Sequence, residues 1–131
     1  MSLRRQIIAV REELKNVSLP GALNLIQTYI SMKTHPIHVH SLPTMVQIEP
    51  TLRCNLRCRM CVRTYWRKRS GDLGFENYQR IVDQFPHLRQ LNLTGVGESL
   101  LNRDFFRMVE YAKSRKIYVK LFDSGTMLDQ R

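Results

Sequence analysis

Three cysteines, Cys54, Cys58 and Cys61, are the only thiols in the 131-residue chain, and all fall in the run Cys54-Asn55-Leu56-Arg57-Cys58-Arg59-Met60-Cys61. A disulfide framework needs an even number, so clustered thiols spaced C-x3-C-x2-C point to a metal or an iron–sulfur cluster. Soft thiolates suit zinc, copper(I) or iron–sulfur centres. A closed structural zinc site or an ordinary ferredoxin cluster takes four protein ligands, whereas three cysteines leave one coordination position for another molecule. His35, His38 and His40 stand upstream among prolines, and histidine-rich tracts also bind metal. Zinc held by the three thiols and His35 or His40 is therefore the competing reading.

Two later stretches have the residue types of a ligand site. Gly95-Val96-Gly97-Glu98 follows an alternating apolar–polar run, Leu91-Asn92-Leu93-Thr94. That places the glycines and a carboxylate at the carboxyl end of a strand, where open α/β sheets bind ligands. Asp123-Ser124-Gly125-Thr126-Met127-Leu128 follows a further apolar run, Ile117 to Phe122.

Taken in order, these stretches resemble the radical S-adenosylmethionine (SAM) superfamily. Thr51 to Cys61 matches the cluster loop T-x-x-C-N-L-x-C-x-M-C of the branch that often carries a C-terminal SPASM extension. Leu93 to Leu100 resembles the strand-ending G-G-E-P segment, with Val96 in place of the second glycine and Ser99 in place of proline. Asp123 to Leu128 resembles the T-N-G-T-L-L turn, with Asp123 and Ser124 in place of threonine and asparagine.

The resemblance covers residues 44–131 and implies a set of roles. Cys54, Cys58 and Cys61 would ligate three irons of a [4Fe-4S] cluster. SAM would chelate the fourth iron and be cleaved reductively to a 5′-deoxyadenosyl radical, which takes hydrogen from a substrate. Glu98, with backbone at Gly95 and Gly97, would receive the SAM ammonium, and Ser124 would lie near the nucleotide. Met60 stands where the family packs a side chain on adenine; a flexible thioether suits that contact and would equally fill a core.

The elements that must position these residues follow from the pattern. Residues 2–17 repeat apolar side chains at helical spacing (Leu3, Ile7, Val10, Leu14, Val17), with arginines and a lysine between. Ser18 is a helix N-cap and Pro20 suits the first turn of a second helix running to about Met32, with Leu23, Ile26, Tyr29 and Ile30 on one face and Pro36 beyond its end. From Thr44 the rhythm becomes strand, helix, strand, helix, strand, which means parallel βα units. Phe75, Tyr78, Ile81, Val82 and Phe85 share one helix face; Asn102 is the expected N-cap of another, with Phe105, Met108, Val109 and Ala112 inward. Gln47 and Glu49, with Gln90, Asn92 and Thr94, put polar residues on one sheet face, as a wet site requires.

The fold class read from this is α/β: the first half of a partial (β/α)6 TIM-like barrel, by the family resemblance, preceded by an N-terminal helical segment. Residues 1–43 form that segment and its linker, and residues 44–131 the N-terminal portion of the core. Two and a half βα units leave a strand edge unpaired, a liability proteins cover. The expectation is therefore a portion of a longer enzyme, inactive by itself.

Composition bounds the rest. The chain is 43% hydrophobic and 24% charged, a globular balance. No apolar run reaches the roughly 18 residues of a membrane span, and no secretory signal is evident. Reduced thiols fit a reducing cytoplasm. Net charge is +10, with seven basic residues and no acidic one from Arg53 to Arg69. Arg53, Arg57, Arg59 and Arg63 are expected to favour electron entry into an anionic cluster; Arg67, Lys68 and Arg69 are placed to receive an acidic electron donor, a flavodoxin or ferredoxin. A solvated basic loop is the plain alternative. A non-catalytic iron–sulfur or zinc module associated with RNA fits the charge but lacks an RNA-binding signature, and a fragment that folds poorly fits the length. The substrate, peptide or small molecule, is not encoded in these stretches.

Overall fold

The computed structural model describes residues 17–66 and 71–128. Of the helix expected over residues 2–17 only Val17 is among them, and Arg67, Lys68 and Arg69 lie outside. The chain divides into two compact units, Met1–Pro43 and Thr44–Arg131.

In the first unit, α1 runs Leu19–Thr34. Ser18 caps it, its side chain accepting from the Gly21 amide at 3.4 Å, and Pro20 sits in the first turn. The helix runs two residues past the expected Met32. It ends where His35 adopts a left-handed conformation (φ 46°) and its amide returns to the Ser31 carbonyl, just before Pro36. Asn24 is the buried polar tie of this unit: its amide donates to the Leu42 carbonyl at 3.0 Å and accepts from the Leu42 amide at 2.7 Å. Leu23, Ile26, Tyr29 and Ile30 are each more than half exposed.

The second unit is a three-stranded parallel sheet, ordered β1 (Met45–Ile48), β2 (Gln90–Leu93), β3 (Tyr118–Lys120). Val46, Leu91 and Val119 stand side by side in register, as do Gln47, Asn92 and Lys120. Because side chains alternate along a strand, one face takes the aliphatic set and the other the polar set. The aliphatic face is covered by α2 (Phe75–Asp83) and α3 (Phe105–Ser114). Tyr78 and Val82 of α2, Leu91 and Leu93 of β2, and Met108 and Ala112 of α3 are wholly buried. The Tyr78 hydroxyl donates to the Met108 carbonyl at 2.8 Å, binding the two helices, and burial holds its phenol well above the usual range. The Gln47 face stays open, Gln47, Lys120 and Tyr118 being exposed.

Asn102 is a correction to the sequence reading. The cap of α3 is Asp104, and Asn102 is instead 2% exposed. Its side-chain amide donates to the carbonyls of Pro50 at 2.6 Å and Leu73 at 2.9 Å, while its oxygen accepts from the Asp104 amide at 2.8 Å. One side chain therefore ties the segment leaving β1, the segment entering α2 and the start of α3.

Candidate functional site

The three stretches singled out in the sequence follow β1, β2 and β3 in turn, so all emerge at the carboxyl end of the same parallel sheet. A parallel sheet puts those ends together by construction, which is why ligand sites of α/β proteins gather there.

The cysteine loop begins at a fixed point. Thr51 pairs with Asp72 as an isolated antiparallel bridge, and the Leu52 amide donates to the Gly71 carbonyl at 2.9 Å. Thr51 donates its hydroxyl to Asp72 Oδ1 at 2.6 Å and accepts from the Arg53 amide at 3.0 Å. Arg53 forks onto Asp72, Nε to Oδ1 at 2.9 Å and Nη2 to Oδ2 at 2.7 Å, and also donates to the Leu101 carbonyl. The hydrogen bond from Arg53 holds Asp72 below the usual carboxylate range. This corrects one expectation: the Arg53 charge is matched by Asp72 and is not free to act on a cluster. Neither Asp72 nor its pairing was legible from the motif, because Asp72 lies outside it and is joined only by the fold.

Beyond Arg53 the loop opens outward. Cys54 and Cys61 are half-buried, Cys58 is exposed, and all three are free thiols. The Leu56 amide points at Cys54 Sγ at 3.4 Å, and the Cys61 amide closes a turn on the Cys58 carbonyl at 3.1 Å. Met60 is 98% exposed, so filling the core is not its role here. Among the described residues no three His, Cys, Asp or Glu side chains are gathered as a metal cage. The donor set nevertheless suits a soft metal or an iron–sulfur cluster: three unpaired thiols in one accessible loop, one already facing a backbone N–H.

The glycines of the second stretch have a use that the sequence reading did not assign. A Cβ on Gly97 would collide with the carbonyl oxygens of Thr51 and Arg53, and one on Gly95 would collide with the Glu49 side chain. Their close approach is thus to the cysteine loop's own backbone and to the Glu49 carboxylate, which accepts from the Val96 amide. With Gly97 so close, the Glu98 amide donates to the Arg53 carbonyl at 2.7 Å.

Glu98 itself is 4% exposed. Its Oε2 accepts from the Ser124 hydroxyl at 2.7 Å and the Ser124 amide at 3.3 Å. Burial raises its carboxyl above the usual range and the Asp123 carboxyl raises it further, against the opposing donation from Ser124. The Ser124 hydroxyl also meets the Thr126 hydroxyl at 2.9 Å, and Thr126 accepts from the Asn55 side-chain amide at 3.1 Å. Asn55 lies inside the cysteine run. The links Arg53–Glu98–Ser124–Thr126–Asn55 therefore close a ring that joins all three stretches.

The matched proteins bear on what this ring is. The chain is 34% identical over 84 residues to a tungsten-containing aldehyde ferredoxin oxidoreductase cofactor-modifying protein of Pyrococcus furiosus, a match covering 62% of this chain and 24% of that protein. It is 31% identical over 91 residues to a PqqA peptide cyclase of Granulibacter bethesdensis, covering 67% and 24% respectively. It is 27% identical over 93 residues to a mycofactocin maturase of Mycobacterium ulcerans, covering 70% and 25%. These are radical SAM proteins, and over the matched residues the chain is similar to them, as a portion of such a protein would be. The matches span about a quarter of the length of these relatives. No family model matches the chain, and no solved structure matches it. No helix among the described residues is long and apolar enough to cross a membrane.

Proposed function

We propose that this chain carries the cluster- and SAM-binding part of a radical SAM oxidoreductase or maturase, of the branch that often bears a SPASM extension. The observation that supports it most is the ring of hydrogen bonds joining the cysteine loop, Glu98 and the Ser124 turn at one end of the sheet. Motifs that served unrelated purposes would have no reason to be fastened to one another. In this reading Cys54, Cys58 and Cys61 hold a [4Fe-4S] cluster, leaving one iron for SAM. Glu98 receives the SAM ammonium, Gly95 and Gly97 let that segment lie against the cysteine loop, Ser124 sets the Glu98 carboxylate, and Met60 is free to cover the adenine. When bound, the cluster and SAM supply reductive radical chemistry on a substrate.

The three strands then form the first half of a partial (β/α)6 barrel, the open Gln47–Asn92–Lys120 face becoming its interior. Residues 1–43, with α1 in them, are the segment that precedes it in sequence. A relative named for a peptide cyclase makes a peptide a reasonable first substrate class to try. The electron donor is an acidic flavodoxin or ferredoxin, and the setting is cytoplasmic. Anaerobic reconstitution tests the reading: about four irons per chain are expected, and Cys58→Ala should lose the brown chromophore. Stoichiometric zinc with no uptake of iron would overturn it in favour of a zinc module.

A further inference from the structure

Lys120 is a cation without a counter-ion on the open face of the sheet. It stands in register with Asn92 and, one strand further, with Gln47, at the roughly 4.8 Å spacing of neighbouring strands. The ion pairs among the described residues are Arg53–Asp72 and Arg115–Asp83, and neither includes Lys120. The carboxylates at the carboxyl end of the sheet are engaged elsewhere, Glu49 with the Val96 amide and Glu98 with Ser124. The Lys120 ammonium lies instead 4.9 Å from the centroid of the Phe122 ring. Phe122 is two residues further along the chain, so its ring holds the charge toward the end where the cysteine loop and the Ser124 turn meet.

The side chains next to Lys120 also have hydrogen-bonding capacity to spare. Asn92 Oδ1 accepts from the Gln90 side chain at 2.8 Å, but Asn92 Nδ2 meets only the Met45 thioether, at 3.8 Å. The Gln47 side chain is exposed and makes no hydrogen bond among the described residues. Once this face becomes the inside of a barrel, water is drawn away from it, and an unpaired charge there is costly. An anion must then meet the ammonium. A structural ion pair would need the charge alone; a row of unspent amide groups beside it suits a ligand that carries peptide groups next to its carboxylate.

We propose that Lys120, with Gln47 and Asn92 beside it, anchors a carboxylate of a peptide substrate. This rests on the proposed function and adds to it the substrate group that the open face recognises.

Three small probes test it on the full chain by side-chain NMR: N-acetylglutamate amide, its neutral isostere N-acetylglutamine amide, and N-acetylalanine, whose carboxylate is terminal. A carboxylate probe should shift the Lys120, Gln47 and Asn92 side-chain signals saturably, and bind about tenfold more tightly than the neutral isostere, the worth of one charge-assisted hydrogen bond. The tighter of the two carboxylate probes tells an acidic side chain from a chain end. Lys120→Met should erase the preference for carboxylate and leave binding of the neutral probe as it was, while Lys120→Arg keeps the preference. Iron content, and SAM binding by the iron-loaded protein, should be the same in Lys120→Met as in wild type. Equal binding of charged and neutral probes, or a carboxylate preference that survives Lys120→Met, overturns the anchor and leaves the proposed function standing. A loss of SAM binding in Lys120→Met would assign the lysine to SAM and overturn the substrate role. Failure of the wild type to take up iron would overturn the proposed function whatever the probes do.

Discussion

Glu98 holds a carboxyl where water scarcely reaches, and linkage fixes the sign of the consequence. Its pKa is raised in the folded state by burial first and Asp123 second, so between the ordinary carboxylate range and the raised value the folded chain binds more protons than the unfolded one. Stability from this group is complete below the unfolded pKa and is lost as pH rises through the folded one. Glu98→Gln keeps an acceptor for Ser124 and removes the titration. It should therefore be more stable than wild type at neutral pH and lose that advantage below about pH 4, as urea denaturation at the two pH values would show. An advantage equal at both would point to packing instead of charge. Gly97 makes a different case. The sequence marks it as a place of close approach, yet nothing in G-x-G-E says what approaches. The answer, the carbonyls of Thr51 and Arg53, comes from a segment more than forty positions away. Gly97→Ala should cost about 2–4 kcal/mol, the range of a backbone collision that must be relieved by moving a neighbouring segment. A loss under half a kcal/mol would mean that the loop yields freely.

At the scale of elements, what was legible is what has a period. The strands at Met45, Gln90 and Tyr118, and the helix faces of Tyr78–Val82 and Phe105–Met108–Ala112, announce themselves because burial on one side repeats every two or every three to four residues. A tie such as Asn102 has no period. An asparagine shortly before an apolar run has the signature of a cap, and only the return of the Pro50 and Leu73 carbonyls to its side makes it a buried clasp. Asn102→Ala would strand two carbonyls and the Asp104 amide, costing about 2–4 kcal/mol. Asn102→Asp keeps the acceptor but neither donor, so it should recover little. Near wild-type stability of Asn102→Asp by chemical denaturation would mean that the two carbonyls find water. Arg53 and Asp72 contrast with this. Their forked pair is 40% and 36% exposed on the two side chains, so water screens it and the contribution to global stability is under about 1 kcal/mol. Its value is positional, since it sets the chain direction as the cysteine loop begins.

Over the whole molecule, the charge of +10 is the feature most visible in the sequence and the one whose use depends most on the fold. The basic run appears unbroken only because Asp72 lies just past it; the fold then sets Asp72 against Arg53 and pairs off one of those charges. Under the proposed function, Asp72→Asn keeps an acceptor for Thr51 and frees that charge, so it should raise the cluster's reduction potential in a redox titration without changing iron content. Arg67, Lys68 and Arg69 are a separate matter, since charges farther along act on a partner's approach more than on a buried electron. Reversing these three to glutamate should slow reduction by an acidic flavodoxin by about tenfold or more at low ionic strength, an effect that added salt erases. Reduction by dithionite, also anionic but small and in need of no docking surface, should change far less, and iron content should hold. Equal slowing with both reductants would mean that the run acts on the cluster itself; no change with either would make it a solvated loop, and the donor would have to dock elsewhere.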